Sequence, residues 1–214
     1  MFLTLICFAV KEEAAPFLKF AENHPNVSVL ITGMGRKNSE RAILESLSKN
    51  LPTLVLTCGF AGALNLELEI GDVVFDADAE NEIAHMLNDS GAMPAKFYCA
   101  PRVATTADEK TALRESTGAD VVEMESGVIR EICRQKNIPS ATIRAVSDAA
   151  HDDLPLDFNA LMTANDAISF PKLALALMKS PGKIPQLMQL QKNTQAAAAE
   201  LAKVLEKLLS RLGR

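Results

Sequence analysis

Short apolar runs rich in β-branched and aromatic residues alternate along this chain with amphipathic stretches of helical period, and that alternation confines it to an α/β domain with a largely parallel sheet. The predicted strands are Phe2 to Val10, Val27 to Thr32, Leu54 to Thr57, Val73 to Asp76 and Ser140 to Ala145, with Val121 and Val122 closing another buried strand. The predicted helices are Glu12 to Ala21, Ser39 to Lys49, Ala107 to Glu115 and Ser126 to Gln135. The last carries Val128, Ile129, Ile132 and Cys133 on one face. It ends where Asn137 can take the left-handed position and Pro139 bars continuation. From Ala77 to Arg102 polarity is mixed, with Gly91 and Pro94, and this stretch reads as a surface excursion.

A length of 214 residues with 48% hydrophobic content suits a single domain spanning 1–214. A net charge of -5, without a Lys/Arg-rich run, argues against nucleic acid as a partner and for a small molecule. Cys7, Cys58, Cys99 and Cys133 are too scattered for a zinc site or a disulfide frame, and read as buried free thiols in a reducing cytoplasm. No metal site is predicted. The apolar opening lacks a basic leader and a cleavage pattern, and no apolar run approaches the roughly 18 residues of a membrane span. A cytoplasmic protein is expected.

The chemistry-bearing residues collect at strand carboxyl ends, where an open parallel sheet binds its ligands. These are Glu12-Glu13, Thr32-Gly33-Met34-Gly35, Gly59-Phe60-Ala61-Gly62, Glu123-Met124-Glu125 and Arg144-Ala145-Val146-Ser147-Asp148. Each has a plain structural reading: glycines as turns, Glu12 and Glu13 as first-turn acids, Asp148 as a helix cap, Arg144 as a salt-bridge partner, Met124 as core. Five such groups at one sheet edge favour a shared site. Gly33-Met34-Gly35 lacks the third glycine of a dinucleotide fingerprint and the lysine of a P-loop. No organic cofactor is therefore expected.

Those segments, taken in order with Ile70-Gly71-Asp72-Val73-Val74, resemble the nucleoside phosphorylase and methylthioadenosine/S-adenosylhomocysteine nucleosidase superfamily over roughly residues 2 to 160. Asp148 to Leu156 and Lys179-Ser180-Pro181-Gly182-Lys183-Ile184-Pro185 resemble its hopanoid-associated branch. The resemblance implies a three-layer α/β/α sandwich with a mixed, largely parallel sheet that cleaves the N-glycosidic bond of a purine nucleoside, with adenine preferred by analogy. Such a reaction needs a proton or hydrogen bond to the leaving base, stabilisation of a cationic sugar and an aimed nucleophile. By the resemblance Asp148 serves the base and must be protonated to do so. Glu125 holds the ribose hydroxyls and Met124 lies against the sugar. Glu13 deprotonates the attacking water, Arg144 orients it, and Ser147 supports Asp148. Glu123, Phe60, Ala61, Gly62, Gly33 and Val103 complete the implied binding site.

Thr57 and Phe60 stand where phosphate-using members commonly have an arginine and a serine, so hydrolysis is favoured over phosphorolysis. Phosphorolysis with phosphate as co-substrate, including action on a lipid-linked (hopanoid) adenosine, and a catalytically idle nucleoside-binding module stay open, as does a purely structural protein. A homo-oligomer is expected. Residues 186–212 form a predicted amphipathic helix, with Leu187, Leu190, Ala197, Leu201, Leu205 and Leu208 on one face. It can pack on its own domain, pack across a dimer or contact a membrane surface.

Overall fold

The computed structural model describes residues 3–77, 82–163 and 168–212; Phe2 and residues 78–81 of the segments discussed above lie outside them. Among the described residues eight strands form one sheet. They are β1 (Thr4–Phe8), β2 (Val27–Ile31), β3 (Leu54–Ala63), β4 (Val73–Ala77), β5 (Met93–Pro94), β6 (Phe97–Cys99), β7 (Val121–Glu123) and β8 (Ser140–Asp148). The helices are α1 (Lys11–Glu22), α2 (Arg36–Lys49), α3 (Glu82–Ser90), α4 (Ala107–Thr117), α5 (Ser126–Gln135), α6 (Phe158–Leu161), α7 (Phe170–Lys179) and α8 (Ile184–Leu212). The main path runs β2-β1-β3-β8-β4-β5, and β7 joins the far end of β3 and carries β6. Pairing is parallel except at β3–β7 and β4–β8, so the sheet is mixed and largely parallel.

Both faces are covered, which is why the central strands read as continuous apolar runs. Ile6 and Phe8 of β1 face a core built with Phe17 of α1, Ile83 and Leu87 of α3, and Leu201, Leu205 and Leu208 of α8. Leu5 and Cys7 face the opposite core, with Ile43 and Leu47 of α2 and Val128, Ile129 and Ile132 of α5. The result is the three-layer sandwich. Full burial of each leucine of α8 contributes about 1.5–3 kcal/mol. From Ala197 to Leu209 the apolar face of α8 lies in its own domain, so this part of the helix follows the first of its three readings. Among the described residues no helix is long and apolar enough to cross a membrane.

Local signals located α5 to the residue, and Asn137 takes a positive φ of 54° after it. Three expectations need correction. The strands predicted to stop at Thr57 and Ala145 continue to Ala63 and Asp148. Residues 82–102 are not a surface excursion: α3 buries Ile83 and Leu87, and β5 and β6 extend the sheet. Cys99 is exposed, whereas Cys7, Cys58 and Cys133 are buried, and all four thiols are free.

Candidate active site

The extended halves of β3 and β8, the end of β7 and the β1–α1 junction enclose a cavity of about 260 Å³. Glu13, Phe60, Ala61, Gly62, Val103, Glu123, Met124, Glu125, Ser147 and Asp148 all line it. Arg144 lies behind this lining, 1% exposed. Gly33 does not line the cavity: it is a turn residue with φ 84°, and its neighbours Met34 and Gly35 do the work at the site. Sequence reasoning missed Leu154, Phe158, Met162, Ile168 and Leu190, which form an apolar side of the cavity, together with Thr194. Leu154, Phe158, Met162 and Ile168 come from one short stretch after β8, and Leu190 and Thr194 from α8, so only the tertiary fold joins the two segments at the cavity. Asn159 clamps Val103 by accepting from its N–H at 2.9 Å and donating to its carbonyl at 2.9 Å.

Glu13 sits in the first turn of α1, where its Oε2 accepts from the N–H groups of Ala9 (2.9 Å) and Val10 (3.1 Å). Its Oε1 accepts from the N–H of Phe60 at 2.9 Å. The plain reading of Glu13 as a first-turn acid of α1 thus also holds. The same bonds tie it to the cavity wall. Space for it comes from Gly59, since a Cβ there would stand 2.5 Å from Oε1. Burial raises its pKa above the ordinary carboxylate value, against the opposing pull of Arg144 and the three amides.

Arg144 anchors the acid cluster. Its guanidinium donates to Glu123 Oε2 at 2.7 Å, to Thr57 Oγ1 at 3.2 Å and to the Ile143 carbonyl at 3.3 Å, and lies 3.9 Å from Glu125 Oε2. Glu123 also accepts from the N–H of Glu125 and from both the N–H and the hydroxyl of Ser126. Burial works against the Glu123 carboxylate, but Arg144 and these donors outweigh it and hold its pKa low. Glu125 differs. Burial, with Glu123 and Glu13 adding to it against Arg144 and the Gly35 N–H, pushes Glu125 up to about 7. One cation facing three carboxylates leaves the cluster short of positive charge, which is how neighbouring acids come to titrate apart.

At the other side of the cavity the β3–β8 register slips between Ala61 and Gly62, so that Gly62 faces Asp148 and Ser147 is the extra residue. Adjacent strand residues ordinarily point to opposite faces; the bulge lets Ser147 and Asp148 both reach the cavity. Ser147 donates to Asp148 Oδ1 at 2.7 Å. Gly62 leaves room for Oδ2, which a Cβ there would approach to 3.0 Å. Lys110 of α4, which sequence reasoning did not single out, places Nζ 2.5 Å from that oxygen. Its one sequence signal is a lysine three residues after Ala107 and three before Leu113, on the half-buried face of α4.

The strand ends of this largely parallel α/β/α sandwich thus carry a buried acid cluster beside a cavity, with Glu13 and Asp148 each seated against a glycine of β3. Residues 96–179 match the family model of the phosphorylase superfamily. The chain is 25% identical over 169 residues to the 5′-methylthioadenosine/S-adenosylhomocysteine nucleosidase of Shewanella oneidensis, covering 63% of this chain and 72% of that one. The solved nucleosidase of the same type from Neisseria meningitidis, in complex with methylthio-immucillin-A, superposes with a TM-score of 0.73 at 16% identity over 99% of this chain and 100% of that one. Futalosine hydrolase of Helicobacter pylori superposes at 0.72, with 15% identity and 98% coverage of both chains.

Proposed function

We propose that this protein hydrolyses the N-glycosidic bond of a purine nucleoside, with Glu13 taking the proton of the attacking water and Asp148 assisting the leaving base. The observation that carries the reading is the pairing of these two acids with Gly59 and Gly62 on one strand, one on either side of the sugar position that Glu125 and Met124 would line. Glu125 accepts the ribose hydroxyls as a carboxylate. The raised pKa of Glu13 suits a base, since a carboxylate too easily ionised takes up protons poorly. Water is favoured over phosphate because Arg144 lies buried behind the cavity lining with its Nη2 held by Glu123 and Thr57, so the guanidinium is not presented to a dianion in the cavity. Adenine is the base favoured by the relatives' names. Three buried free thiols suit a reducing cytoplasm.

The test is base release from adenosine, inosine, methylthioadenosine and S-adenosylhomocysteine with and without phosphate, read by chromatography. Release without phosphate supports hydrolysis, strict phosphate dependence overturns it in favour of phosphorolysis, and tight binding without turnover leaves a binding module.

Two further results are expected. Gly59→Ala drives the Glu13 carboxylate off its three amides and strains a backbone held at φ 150°, so kcat falls by about 100-fold or more, the order a positioned base supplies, and the urea midpoint falls with it. Lowering pH below about 7 protonates Glu125, so KM rises there, and Glu125→Gln removes that limb from the profile. The same shift has a definite sign for stability. A carboxyl raised in the folded state stabilises fully below its ordinary 4.5, and this contribution is lost as pH climbs through about 7. Urea midpoints of the wild type should therefore fall relative to Glu125→Gln between those pH values.

A further inference from the structure

The single fully buried residue of α4 is a lysine. Lys110 is 0% exposed, and every proton of its ammonium has a partner: the Ala149 carbonyl at 2.7 Å, the Asp152 carbonyl at 3.0 Å and Asp148 Oδ2 at 2.5 Å. A buried lysine is expensive unless paired, and here both carbonyls belong to the loop that follows Asp148. The loop and the helix thus converge on one carboxylate. Asp148 presents a difficulty for the hydrolytic reading taken alone. An acid that protonates a departing base must hold a proton, yet its Oδ2 faces an ammonium and its Oδ1 already accepts from Ser147.

We propose that Lys110 supplies the proton that Asp148 passes to the departing base. The inference rests on the hydrolytic reading above. As the bond from C1′ to the base nitrogen breaks, its electron pair leaves with the base. A proton moves from Lys110 Nζ to Asp148 Oδ2 and on from Asp148 to a ring nitrogen of the base, leaving Asp148 a carboxylate and Lys110 a neutral amine. Water adds to C1′ and gives its proton to Glu13. Return of that proton through the cavity to Asp148, which lines it, and on to Lys110 resets Glu13 and Lys110, so the net reaction consumes only water. Lys110 acts through Asp148 and is a positioning residue with a transferable proton. An arginine in its place would hold the charge but not release the proton.

The experiment compares wild type, Lys110→Met and Lys110→Arg on an adenine nucleoside and on 4-nitrophenyl β-D-ribofuranoside, whose leaving group departs as a stable anion. In both variants adenine release should fall by about 100-fold or more, the order of general-acid catalysis, while nitrophenolate release stays within a few-fold of wild type. A purely structural role would lower both substrates together and so overturn the proposal. If methionine prevents folding, arginine retains the ion pair and decides the matter: adenine release restored to near wild type shows that charge alone suffices and the relay is wrong. Wild type that releases base from no nucleoside removes the hydrolytic reading, and this inference with it. Wild type that releases base, matched by Lys110→Arg, removes this inference alone.

Discussion

Replacement of Asp148 by asparagine is expected to lower adenine release by about 10²- to 10⁴-fold, the span that general acid catalysis supplies. Asparagine keeps the shape of the side chain and an acceptor for Ser147, but it can neither receive a proton from Lys110 nor pass one on. Nucleoside binding should survive, because Glu125 and Met124 are untouched. The substitution also strands the Lys110 charge, which keeps only the carbonyls of Ala149 and Asp152. Removing one partner of a buried pair costs about 3–5 kcal/mol, and the two remaining acceptors argue for the lower end, about 3 kcal/mol. The double variant Asp148→Asn, Lys110→Met should recover much of that stability and none of the activity. Measured by urea denaturation and base release, this pattern separates the chemical role of Asp148 from its role in folding. Asp148→Asn within about tenfold of wild type would show that the leaving base needs no proton from this position.

What the sequence made legible follows from how local the physical causes are. Helix α5 was placed to the residue because its apolar stripe and stop signals lie within its own span. The end of β3 reads short in the sequence because Gly59 and Gly62 look like turn residues, and β8 runs past its predicted end through a bulge at Ser147. The real reason for the two glycines is remote: the carboxylates of Glu13 and Asp148 fill the volume a Cβ would need. Glu123 was recognisable as an acid at the right strand end, but its pairing with Arg144 is a tertiary fact joining β7 to β8. Ser147 and Asp148 were named as neighbours without the bulge that lets both face one cavity. Lys110 was passed over because a single lysine in a polar helix is ordinary until its partner on β8 is known. Helix α3 escaped because Ile83 and Leu87 make too narrow a stripe among Glu82, Asn88 and Asp89.

Arg144→Met tests the opposite side of the site and is expected to give the largest loss of stability. The arginine is 1% exposed, and its guanidinium is the shared counterion of Glu123, Glu125 and Glu13. Methionine keeps much of the volume and removes the charge, leaving Glu123 buried with only hydrogen-bond donors to oppose it. The expected cost is about 3–5 kcal/mol at pH 7, which for a chain of this size corresponds to a melting temperature lower by roughly 6–20 °C. Its pH dependence follows from Glu123. A carboxyl held below its ordinary 4.5 contributes stability above that value and loses it as pH falls through the folded-state pKa. Without Arg144 that contribution is gone, so the gap between wild type and variant should be widest at neutral pH and close toward pH 4, where Glu123 and its neighbours accept protons. Adding Glu123→Gln to the variant should restore part of the loss by removing the stranded charge. A deficit below about 1 kcal/mol, or one independent of pH, would mean that the guanidinium does not carry the cluster. If the predicted pattern holds, one cation both keeps Glu123 ionised and limits how far Glu13 and Glu125 are raised, so the stability of the strand ends and the protonation of the acids that face the cavity are set by the same ion pair.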